Sequence, residues 1–158
     1  MSTAPLLLFA WGNPSRGDDA LGPALLERIE AALPGHPEWG DVALLNDFQL
    51  QPEHALDLEG RERVLFIDAS VSCAEPYAFE RLQPARDLGY TTHAMKPEAL
   101  LTVFNQVTGR MPPPAWLLTM RGLSFELGEP LGAAARTHLD AAVGFVESLL
   151  SGQWQRFD

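Results

Sequence analysis

Three short apolar runs set the limits on what this chain can fold into: residues 5–11 (PLLLFAW), 63–68 (RVLFID) and 115–121 (AWLLTMR). None alternates apolar with polar side chains, as a strand with one wet face would. Each therefore reads as a strand covered on both faces. Helical patterns lie between and after them. Residues 20–33 place Leu21, Leu25, Ile29 and Leu33 at helical spacing and stop at Pro34-Gly35. Residues 97–107 (PEALLTVFNQV) and 131–150 repeat the pattern, the latter with Leu139, Val143, Val146 and Leu150 along one stripe. Pro52 opens a further predicted helix over 52–59. Residues 41–45 form a short second strand, and 78–82, hemmed by prolines, a strand at an edge. Strands alternating with helices predict one α/β domain over 1–158, with a mostly parallel sheet layered between helices and right-handed crossovers. Residues 152–158 are expected to fray as a flexible tail.

Composition narrows the function classes. The formal net charge is −10, and the 11 Lys and Arg residues are scattered, so nucleic acid is not an expected partner. No run of 18 apolar residues exists, and the apolar stretch near the N-terminus lacks a basic leader, so neither a membrane span nor a signal peptide is expected. The single Cys73 excludes an intramolecular disulfide and suits a reducing compartment, which places the protein in the cytoplasm. It has no evident His partner and reads as a structural thiol rather than a nucleophile.

In an open parallel sheet the functional crevice lies beyond the carboxyl ends of the strands. The first strand runs into Gly12-Asn13-Pro14-Ser15-Arg16-Gly17-Asp18-Asp19, and the third ends at Asp68. If these strands are central and parallel, the acids share one edge of the sheet. Acids before a helix also serve as caps, a role Asp18 suits, but two adjacent acids exceed what capping needs. Asp68 marks either a solvated loop start or a site residue. Of the four histidines, His36, His54 and His138 read as structural or solvent-facing, whereas His93 sits in a polar loop ahead of a helix. Asp19, Asp68 and His93 together would make an open oxygen/nitrogen metal site suited to a borderline divalent ion such as nickel or zinc. No HExxH, paired-Cys, G-x-S-x-G, Walker A or GxGxxG pattern is present, so nucleotide binding is disfavoured.

These residues resemble the endopeptidases that mature the large subunit of [NiFe] hydrogenases. Gly12-Asn13-Pro14-x-x-Gly17-Asp18-Asp19-x-x-Gly22 resembles the family's opening signature, and Gln49-Leu50-Gln51-Pro52-Glu53 its Q-L-x-P-E element. Residues 64–69 (VLFIDA) resemble its third strand with the terminal Asp-Ala, and Thr91-Thr92-His93 its histidine segment. Gly122 and the stretch Phe125-Glu126-x-Gly128-x-x-Leu131 also resemble family positions. The resemblance spans nearly the whole chain. It implies a three-layer domain of the phosphorylase/hydrolase kind, with a twisted sheet of about five strands. It also implies a metal-contacting triad of Asp19, Asp68 and His93; some members have Glu where this chain has Asp19. The implied activity is removal of a C-terminal extension from a hydrogenase large-subunit precursor after nickel insertion. The triad would read the precursor's own nickel, no organic cofactor is implied, and a monomer is expected. Asp18 stands as a candidate general base beside the triad. Two other readings stay open: a nickel-dependent chaperone using the same triad without proteolysis, and an enzyme like peptidyl-tRNA hydrolase, against which the acidic balance weighs.

Overall fold

The computed structural model describes residues 3–85 and 95–158. Within them five strands form one sheet: β1 (Leu6–Trp11), β2 (Val42–Asp47), β3 (Arg63–Ser70), β4 (Tyr77–Arg81) and β5 (Ala115–Arg121), in the order β2-β1-β3-β5-β4. The β1–β2, β1–β3 and β3–β5 pairings are parallel, and β4 closes one edge antiparallel to β5. The helices α1 (Leu21–Ala32), α2 (Pro97–Thr108) and α3 (Ala133–Leu150) complete the layers. The mostly parallel, helix-flanked sheet that the apolar runs predicted is the observed architecture.

The two-residue period of a strand explains why those runs are continuously apolar. Leu8, Ala10, Leu65, Ile67, Trp116, Leu118 and Met120 pack under α1 and α3. Their neighbours Leu7, Phe9, Trp11, Val64 and Phe66 face the other way, against Leu100, Leu101 and Phe104 of α2 and Ala55 and Leu58. Both faces are covered, so the central strands are apolar along most of their length, and Asp68 and Thr119 pair only near the carboxyl edge. No helix among the described residues is long and apolar enough to cross a membrane.

Two segments differ from expectation. The predicted helix over 52–59 is a 3-10 helix, Pro52–Leu58, opened by a box in which the Gln51 and His54 side chains bond each other's backbone N–H. The expected tail is instead docked: Gln153–Phe157 form a 3-10 helix and Trp154 is 2% exposed. The Trp154 ring meets Trp116 edge-on at 5.4 Å, and Asp158 pairs with Arg63. Trp154 and Phe157, the latter edge-on to Phe79 at 4.9 Å, pin a short polar segment with no periodic pattern to announce it.

Candidate functional site

The carboxyl edge of the sheet gathers the acids. β1 and β3 are adjacent and parallel, with Ala10 opposite Ile67, so Asp68 emerges from β3 beside the turn that follows β1. That turn doubles back tightly. Gly12 (φ +146°) lies so close to the Asp19 carbonyl that a Cβ there would stand 2.1 Å from its oxygen. Gly22, in the first turn of α1, sits against the end of β1 and the carboxyl half of β3; its Cβ would meet the Trp11 and Ile67 carbonyl oxygens at 2.9 and 3.3 Å. Glycine at these two positions is what seats the turn across β1 and β3. Asp19 is thereby held near enough to Asp68 for their charges to interact, and its Oδ2 accepts the Asn13 N–H at 2.9 Å.

The electrostatics of Asp68 follow from that seat. Burial, the dominant influence, pushes its carboxyl up to about 7, and the charge of Asp19 adds to the rise. The Ala69 N–H, at 2.8 Å, and the Trp11 indole favour the carboxylate but do not offset the loss of water. The pair is thus a half-buried acid near neutrality beside a second acid, an environment that favours a proton or a cation.

Asp18 is a different object. It is 3% exposed and does not cap α1. Its Oδ2 accepts the N–H groups of Leu123 (2.7 Å) and Ser124 (3.3 Å), and its Oδ1 accepts that of Gly132 (2.9 Å), just ahead of α3. Burial raises the Asp18 carboxyl, but these bonds, together with nearby His138, outweigh it and hold the group below the ordinary value. A carboxylate so stabilised, with three backbone donors on its two oxygens, is a weaker base than an ordinary one. The sequence reading of Asp18 as a cap of the following helix is therefore replaced by a tie between two loops.

His93 lies outside the described residues. The other histidines are placed by their neighbours. His36 stacks on Trp39 and pairs with Glu38 at the surface. His138 bonds the Arg121 carbonyl at 2.7 Å. His54 accepts the Gln51 N–H through Nδ1 and pairs through Nε2 with Asp47 at 3.1 Å. Asp47, which sequence reasoning passed over, is a further acid on this edge. It ends β2 opposite Trp11, and its carbonyl accepts the Gly12 N–H. Beside it Gly12, Pro14, Asn46 and the exposed Phe48 line a cavity of about 220 Å³. Among the described residues no three or more His, Cys, Asp or Glu side chains cluster closely enough to hold a metal ion. Cys73 is partly buried, and burial pushes its thiol up, which leaves it a weak nucleophile.

No protein-family model matches the sequence, and no curated protein matches it either. Solved structures do. The chain is similar to a [NiFe] hydrogenase maturation protease, HycI, from Thermococcus kodakarensis KOD1. The two share 20% identity and a TM-score of 0.69, over 96% of each chain. It is likewise similar to the hydrogenase maturating endopeptidase HybD from E. coli (22% identity, TM-score 0.69, over 96% of this chain and 94% of that one). A hydrogenase 2 maturation peptidase from a Thaumarchaeota archaeon follows at 22% identity and TM-score 0.64, covering 92% and 97%. At these identities the likeness establishes the fold: the chain has the architecture of the hydrogenase maturation proteases along almost its entire length.

Proposed function

We propose that the protein is an endopeptidase that removes the C-terminal extension of a [NiFe] hydrogenase large-subunit precursor once nickel is in place. Asp19, Asp68 and His93 would contact the nickel held by that precursor. The observation that carries this reading is the placement of Asp19 beside Asp68, at the carboxyl edge of a fold shared with proteases of that name. Two close carboxylates, one of them short of water, gain more from a divalent cation than either would alone. They form an incomplete coordination shell, which suits a metal that arrives already held by a substrate. Precursor carrying nickel would then dock more tightly than precursor without it, coupling cleavage to metal loading through differential binding. Asp19 and Asp68 supply oxygen ligands in this scheme, and His93 the nitrogen.

The test is mass spectrometry of nickel-loaded and nickel-free precursor after incubation with the protein. Loss of a defined C-terminal peptide from the loaded form alone is the expected result. An unchanged mass with stable complex formation would make the protein a nickel-dependent chaperone instead. Near-normal processing by Asp19→Ala, Asp68→Ala or His93→Ala would remove that residue from the mechanism.

A further inference from the structure

We infer that Asp18 is a positioning residue, whose buried carboxylate sets the separation of Asp19 and Asp68. The inference rests on the reading of that acid pair as the working site. A short series of bonds joins the two acids through Asp18. Asp68 lies on β3, whose last residue, Ser70, accepts the Gly122 N–H at 2.8 Å. The next residue, Leu123, donates to Asp18 at 2.7 Å, and Asp18 is covalently joined to Asp19. Further bonds brace the same joint. Asp18 N–H reaches the Ser124 carbonyl at 2.8 Å, Gly17 N–H the Glu129 carbonyl at 2.9 Å, and Gly128 N–H the Ser15 carbonyl at 2.6 Å. The Arg16 guanidinium bonds the Phe125 carbonyl at 3.3 Å. Packing is equally close: a Cβ on Gly122 would stand 2.8 Å from the Asp18 Cβ.

The turn carrying Asp19 is thus held on one side by the end of β2, through the Gly12–Asp47 bond, and on the other by residues 122–132. Among the described residues, Asp18 is the only side chain that bonds both ends of that second loop, at Leu123 and at Gly132. A neutral amide in its place can accept at one lobe, but presents N–H to the backbone donors at the other. Asp18→Asn should therefore loosen one half of the clamp while leaving the sheet and helices intact.

Three measurements on the full-length protein test this, with Val146→Ala on α3 as a control for lost stability alone. In the crystal structure of Asp18→Asn, the Asp19–Asp68 carboxylate separation is expected to change by about 1 Å, with faster amide exchange at Leu123, Ser124 and Gly132. An unchanged separation overturns the inference whatever the activity. Processing of nickel-loaded precursor should fall about 100-fold in kcat, the scale expected for such a misplacement, with the pH profile keeping its shape. Loss of a limb of that profile would make Asp18 a proton carrier, and wild-type rates would remove its positioning role. Gly122→Ala, which displaces Asp18 without altering its chemistry, should reproduce the defect; normal processing and an unmoved acid pair would again overturn the clamp. Asp19→Ala run alongside separates the two ideas: if it processes normally, the reading of the acid pair fails, while the measured separation still decides whether Asp18 sets it.

Discussion

Asp18 and Asp68 are acids withdrawn from water at the same edge of one sheet, yet the fold treats them in opposite ways. Around Asp18, three backbone N–H groups converge, and the carboxyl is held below its usual range. Around Asp68, one backbone N–H and the Trp11 indole stand against burial and a neighbouring acid, and the carboxyl rises to about 7. Burial alone therefore does not mark a functional acid. The mark is burial without enough donors, which leaves the group demanding a proton or a cation. Among the described residues, the fold surrounds one acid with backbone donors and leaves the other short of them.

The widest test of this contrast is to remove each acid in turn and measure urea unfolding. Asp18→Ala leaves the Leu123, Ser124 and Gly132 N–H groups without their acceptor and should cost about 3 kcal/mol. Asp68→Asn should act in the opposite direction. Between its ordinary value of 3.8 and about 7 the native protein binds a proton at Asp68 that the unfolded chain has released, so this group makes stability fall as pH rises through that window. The asparagine variant is expected to be more stable than the parent by about 4 kcal/mol at pH 8 and nearly equal to it at pH 4. An Asp68→Asn protein less stable than the parent at pH 8 would mean that the carboxylate is well satisfied in the native state, and the contrast with Asp18 would collapse.

The sequence made much of this edge legible. The doubly covered runs of β1, β3 and β5 could be read because strands buried on both faces are almost continuously apolar. The acids follow those runs, Asp68 near the end of the β3 ladder and Asp19 in the turn after β1. Parallel neighbours then bring Asp19 and Asp68 together whatever lies between them in sequence. The role of Asp18 was not legible, because its partners Leu123 and Gly132 stand 105 and 114 residues away and are backbone groups, which carry no residue signature. Asp47 was passed over for a related reason. Its apolar run stops at Leu45, but the ladder with β1 carries the strand two residues further, to the pairing of Trp11 with Asp47. The docking of the tail was missed because two aromatic residues in a polar segment make no period; the rings beneath them, Trp116 under Trp154 and Phe79 and Phe145 under Phe157, show why it docks.

The smallest expected effect tests how the rise at Asp68 is divided between its causes. Burial is the larger and the Asp19 charge the smaller, so Asp19→Asn should lower the Asp68 value from about 7 but leave it above the ordinary carboxylate range. The associated change in native stability at neutral pH should be about 0.5 kcal/mol in favour of the variant, in the range of a single partly screened charge pair. Carboxyl-carbon NMR titration of Asp68 in both proteins reads the shift directly. If Asp68 returned to the ordinary range on loss of Asp19, like-charge repulsion rather than desolvation would dominate. The edge would then be a coupled pair sharing one proton, as two close carboxylates do. If Asp68 did not move at all, the two acids would be electrostatically independent, and the case for their sharing one cation would lose its physical basis.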